Sequence, residues 1–313
     1  MPQKSSTEKE SALPRRVVLA TKMAKIVKVL KAAKFAKVAI TVGTLALSVF
    51  AYSFSLGVWF SVGFVLMLLI HEMGHVIAIR RKGMKASMPI FIPFLGAAIF
   101  APDMGNRDDE AYVGYGGPLL GGTIAAVLMV STIAASNSSE TLRLVAYTAL
   151  FINVFNLTPI RPLDGGRITQ AVGPWFTYIG VLVLLAFTLI LKAVGLLIIW
   201  ILVLDDLPLS LRLRVITGWT IEAIMIVVMV KNLGLHQPWW LDTIDLALAT
   251  LFNATRSVSL AANEDILASG RDNRPQLAGS RRLVWFTLYL GISIALVGLM
   301  IWSKGYLPHA ATH

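Results

Sequence analysis

The chain has 313 residues, 56% of them hydrophobic and 14% charged, with a mean hydropathy of +0.72. Charge so far below the usual quarter of residues excludes an ordinary soluble domain and points to an integral membrane protein. Cysteine is absent, which excludes disulfides and thiolate metal ligands, and the net charge of +11 gathers at one end.

The first 37 residues carry ten Lys/Arg against two Glu, a net +8. No cleavable signal peptide is expected there, because this charged tail precedes the first apolar run, near residue 38. Lys22, Lys25, Lys28, Lys31, Lys34 and Lys37 recur every three residues, which winds charge around a helix by about 60° per step. That pattern is a basic, partly helical collar. It fits a cytoplasmic juxtamembrane segment that touches anionic lipid, and no aromatic platform accompanies it that would suit nucleic acid.

Phe35 to Arg80 would make about 69 Å of helix, enough to cross a ~30 Å hydrocarbon layer twice with a break near Gly57. The second crossing holds LLIHEMGHVIAIR, residues 68–80. His71 and His75 are four apart and stack on one helix face, where they can hold one metal ion between them. Glu72 falls beside that ion. This is the spacing of a zinc hydrolase, in which the carboxylate takes a proton from the water that the metal polarises. Ionisable groups inside a span cost roughly 2.5–3.5 kcal/mol each on insertion scales, so they face a partner or a cavity. With the tail cytoplasmic, this span returns inward and ends at Arg80, Arg81 and Lys82, placing Glu72 roughly 12 Å from its cytoplasmic end.

Residues 86–101, ASMPIFIPFLGAAIFA, are apolar but carry Pro89 and Pro93, which break a helix and suit short edge strands. A re-entrant extended hairpin is predicted, followed by the polar stretch 102–110. A third span covers about 112–134, and Gly114, Gly116, Gly117, Gly121 and Gly122 at its start suit close helix packing. A fourth, about 141–158, leads into NLTPIRPLDGGR, residues 156–167. Two prolines and the pair Gly165 and Gly166 make a fixed loop that aims Asp164. By parity this loop lies on the side where the second span ends, so Asp164 can serve as a third ligand and leave a position open for water. Arg161 and Arg167 fit the cytoplasmic side or neutralise Asp164.

Residues 172–204 predict two tight spans hinged at Lys192, with a single long tilted helix as the alternative, and 215–230 a seventh that carries Glu222. Residues 237–281 form the long extramembrane segment, with a surface helix over DTIDLALATLFNATRSV and a glycosylation-like pattern at Asn253 and Thr255. A last span runs over about 283–302. The fold class is therefore an all-α polytopic membrane protein with about seven to eight transmembrane helices and a short re-entrant β-hairpin near the site. Its parts are a basic cytoplasmic tail, 1–37, a membrane-embedded core, 38–214, and C-terminal helices, 215–313, that include the 237–281 segment.

With HEMGH, FIPFLGA, GYGGPLLGG and NLTPIRPLDGG in this order, residues 58–214 resemble a site-2 protease family intramembrane zinc metalloprotease. The resemblance implies one Zn²⁺ held by His71, His75 and Asp164, with Glu72 as general base and acid. It also implies that Asn156 helps to hold the substrate backbone or the developing oxyanion, and that the hairpin offers an edge to an unwound substrate. Two departures stand out. Gly121 occupies a place where family members often carry Asn, and no PDZ-sized or CBS-sized insert is present. A metzincin would need a third histidine six residues after His75, where the chain has Arg81.

The expected activity is hydrolysis of a peptide bond within or beside a transmembrane segment, as in regulated intramembrane proteolysis, in a prokaryotic cytoplasmic membrane with N-terminus and site toward the cytoplasm. The expected partners are a membrane-spanning protein substrate and the lipid bilayer, not nucleic acid. Two alternatives are a metal transporter or channel with a path along His71, Glu72, His75 and Asp164, and a protease of the prenylated-protein type with Glu110 or Glu140 as ligand. A third is an inactive relative that binds transmembrane helices without cutting them.

Overall fold

The computed structural model describes residues 15–93, 96–99, 104–135, 138–191, 199–200, 216–221, 223, 250, 253–254 and 274–307. Helix α1, Arg15–Leu56, contains the apolar stretch Ala36–Leu56 and runs on through the lysine repeat without a break. The chain reverses at Gly57, whose φ of 78° is open to glycine at little cost, and α2 follows over Val58–Arg81. Arg80 and Arg81 in its last turn suit the negative end of the helix dipole.

The proline-punctuated stretch does form a hairpin. Strand β1, Ile90–Ile92, pairs antiparallel with β2, Gly96–Ala98, in the register Phe91 to Ala97. Helix α1 holds the outer side of β1: Thr41 Oγ1 donates to Pro89 O at 2.8 Å, and Phe91 N donates to Thr44 Oγ1 at 3.2 Å. Among the described residues β2 is thus the outer strand of a two-stranded sheet.

Helix α3, Arg107–Ala134, is the central element and packs against α2, α4 (Glu140–Asn156), α5 (Asp164–Val172) and α7 (Gly279–Ser303). Its start is capped by Asn106, whose Oδ1 accepts from Asp109 N at 2.8 Å, and Asp108, Asp109 and Glu110 fill the first turn. Those acids also gather the surrounding chain. Lys82 reaches Asp109 at 2.5 Å, Arg161 reaches Glu110 at 2.7 Å, Arg274 also pairs with Glu110, and Arg281 takes Asp108 through two nitrogens at 2.7 and 2.8 Å. Helix α6, Phe176–Leu191, continues from α5.

Four helices among the described residues are long and apolar enough to cross a membrane: Ala36–Leu56, Val58–Arg81, Arg107–Ala134 and Gly279–Tyr306, the last counted with the short 3-10 turn that follows α7. The predicted fourth span appears as the 17-residue α4, and α6 together with the helical residues 199–200 falls within the predicted pair over 172–204. Lys192, Glu222, Thr255 and most of 215–273 lie outside the described residues.

Close contact between α2 and α3 sets the geometry of everything that follows. A Cβ on Gly74 would come within 2.2 Å of Gly116 O, and one on Gly116 within 2.6 Å of Gly74 O. Backbone lies on both sides, so no rotamer change relieves the clash. Gly74→Ala is expected to lower stability by about 2 kcal/mol or more, toward the upper end for overpacking, as a fall in the thermal midpoint of purified protein.

Candidate metal centre

His71 and His75 project from one face of α2, with ring centroids 5.0 Å apart, and Asp164 opens α5 opposite them. Asp164 Oδ2 lies 3.1 Å from His71 Nε2 and 3.2 Å from His75 Nε2, and the two Nε2 atoms are 3.2 Å apart. All three residues are buried, between 3% and 6% exposed. Asp164 can reach them because α5 folds tightly back on the loop before it. A Cβ on Gly165 would meet Leu157 O at 2.1 Å, and one on Gly166 would meet Arg161 N at 2.3 Å. The Arg161–Pro162 peptide in this loop is cis.

The remaining ring nitrogens fix the tautomers. Asn153 Nδ2 donates to Ala149 O at 2.8 Å, which turns its Oδ1 toward His71 Nδ1 at 2.9 Å. Val113 O lies 2.8 Å from His75 Nδ1. Both Nδ1 atoms therefore carry the proton and donate, leaving two Nε2 lone pairs and a carboxylate oxygen facing one another.

Three acceptors converging in a buried site repel one another unless a cation sits among them, and two imidazoles with a carboxylate are a zinc donor set. Space for an ion is kept by glycine. A Cβ on Gly117 would stand 2.2 Å from His75 Nε2 and 2.8 Å from His71 Nε2. Among the described residues this is the group of His, Asp and Glu side chains that could hold a metal. The Glu72 side chain, half-buried and next in sequence to His71, makes no hydrogen bond or ion pair with a described residue.

Other sequence expectations fall around this centre. Asn156 ends α4, half-buried, one turn beyond Asn153 and outside the hydrogen-bonded set. Arg161 is engaged by Glu110 rather than by Asp164, and Glu110 is taken by two guanidinium groups. Glu140 is exposed at the start of α4. Asn153 was not singled out by sequence reasoning. Its signal was a lone amide in the apolar run ALFINVF, whose burial at 2% demands a partner.

The chain matches the family model described as peptidase family M50 over residues 119–202, which take in Asn153, Asn156 and Asp164, while HEMGH lies upstream. It is also 29% identical over 121 residues to a protein named zinc metalloprotease MJ0392, from Methanocaldococcus jannaschii. Both comparisons make the chain similar to peptidase family M50, the site-2 protease family, over this part of its length. That alignment covers 37% of the chain and 35% of the archaeal protein, so the chain spans about a third of the length of the relative it matches. The likeness to M50 implies Zn²⁺, and the donor set that α2 and α5 bring together fits that ion.

Asn153→Ala is expected to leave the fold intact and to weaken zinc binding about 10- to 100-fold, as loss of a partner behind a metal-bound imidazole does. Competition with a chromogenic chelator measures this, and an unchanged affinity would remove Asn153 from the site.

Proposed function

We propose that the protein is a zinc metalloendopeptidase that hydrolyses a peptide bond within or beside a transmembrane segment of a membrane protein. The observation that carries this reading is the convergence of Asp164, at the start of the short α5, on His71 and His75, with Glu72 one residue from the first of them, on α2, a helix long and apolar enough to cross a bilayer. A zinc ion bound there would supply Lewis acidity, lowering the pKa of water and polarising the scissile carbonyl. Glu72 accepts the proton that the attacking water loses and returns it to the leaving amine. Asp164 and the two imidazoles stay deprotonated toward the metal, because Asn153 and Val113 O hold the imidazole protons on the far side. Asn156, at the same end of α4 as the Asp164 loop, binds the substrate backbone or the developing oxyanion.

A helical substrate hides its peptide bonds in internal hydrogen bonds and must be unwound before it is cut. An extended segment added to the edge of a sheet regains those bonds. Since α1 occupies the outer side of β1, β2 is the strand available for this. Regulated intramembrane proteolysis, with a single-span regulator as substrate, is the setting that such chemistry serves.

The basic residues support one orientation. Arg80, Arg81 and Lys82 end α2 on the side from which α1 departs with its lysine repeat, so the N-terminus and the site face the cytoplasm of a prokaryotic cell, against anionic lipid. The ion-path alternative is disfavoured because the three ligand atoms surround one point rather than succeeding one another. The prenylated-protein alternative is disfavoured because Glu110 is held by Arg161 and Arg274.

Two variants separate the roles. Glu72→Gln is expected to keep one zinc per chain and to lose at least about 100-fold in cleavage of a single-span substrate in proteoliposomes. A Glu72→Gln protein that still cuts would overturn the base assignment. Asp164→Ala is expected to lose zinc, read by elemental analysis after dialysis, and full retention would remove it as a ligand.

A further inference from the structure

Helix α7 lies beyond the residues that the family model matches, yet it holds both ends of the segment that presents Asp164. Tyr289 OH donates to Leu157 O at 2.8 Å, and Arg282 Nε donates to Val172 O at 2.6 Å. Leu157 closes α4 and Val172 ends α5, so everything that turns the chain and aims the carboxylate lies between the two grips. Carbonyls at helix ends lack intrahelical donors, and both residues are buried, at 3% and 8% exposure, so α7 supplies what their own helices cannot.

The Tyr289 grip bears directly on the ligand. Leu157 O is the atom against which the Cα of Gly165 rests, since a Cβ there would stand 2.1 Å from it. Gly165 follows Asp164, so the carbonyl held by Tyr289 is the backstop of the turn that carries the ligand. Helix α7 is itself anchored. Arg281 and Trp285 both bond Asp108 at the start of α3, Trp285 and Leu296 are buried, and Leu296 fills the space over Gly122.

We propose that α7 is a positioning helix for the third metal ligand. Tyr289 and Arg282 fix residues 157–172 so that the Asp164 oxygen stays beside the imidazole pair, and a helix that follows the matched residues thereby sets how tightly the site holds zinc. This rests on the reading of His71, His75 and Asp164 as a zinc site.

The test is zinc affinity of the full-length detergent-solubilised protein, measured by chelator competition. Tyr289→Phe removes one oxygen and keeps the ring that packs against Phe176, and it is expected to weaken zinc binding about tenfold. Arg282→Gln should do the same and Arg282→Lys should restore much of the loss. Ile294→Ala, on the exposed side of the same helix, should bind zinc as the wild type does. In an Asp164→Ala background, adding Tyr289→Phe should cause no further loss, because the tyrosine acts through the ligand that is already gone.

Wild-type protein that binds no zinc overturns the site assignment and the role of α7 with it. Wild type that binds zinc while Tyr289→Phe and Arg282→Gln match its affinity overturns the role of α7 alone. A Tyr289→Phe effect that simply adds to Asp164→Ala, or an equal loss in Ile294→Ala, identifies a general stability effect and likewise overturns it.

Discussion

Two imidazoles and a carboxylate, each 6% exposed or less, present lone pairs to one another, and so buried a site has little water to separate them. The architecture around His71, His75 and Asp164 answers that constraint at each atom. The outward nitrogens have Asn153 and the Val113 carbonyl, and the inward atoms share a point kept open by Gly117. Helix α3 is central for this reason. It supplies a carbonyl to one histidine, empty volume to both, and the surface against which α2 can approach closely enough for its motif to be enclosed.

The second requirement is that Asp164, the proposed third ligand and about ninety residues from the motif, return to it at a fixed distance. Short helix α5 is wedged against the preceding loop at Gly165 and Gly166, braced by Arg107 on the Gln170 carbonyl and by α7 on the carbonyls of Leu157 and Val172. A loop so punctuated with proline and glycine has little conformational freedom to lose, and its remaining freedom is removed by side chains from two other helices.

The parts of this that were legible in the sequence were those written in local spacing. His71 and His75 at a four-residue interval, the reversal at Gly57, the prolines that exclude helix from 86–101 and the turn before Asp164 all express rules spanning a few residues. Asn153 was harder to see because its partner is 82 residues away, and Val113 because it acts through a backbone carbonyl that any residue carries. Arg161 was open between marking the cytoplasmic side and neutralising Asp164, and only the placement of the α3 terminus beside the loop gives it to Glu110. The grips made by Tyr289 and Arg282 pair residues more than a hundred positions apart, a separation at which no periodicity speaks.

The wall that α3 sets against the two imidazoles at Gly117 is made of peptide groups rather than side chains. Such a wall has no rotamers to swing and no side-chain donor to offer an ion. A further ligand to an ion held by His71, His75 and Asp164 would therefore arrive from a side other than α3, as water or as the carbonyl of a bound peptide. Position 117 would thus assign the open face of an ion held there, and it would do so by what the residue lacks.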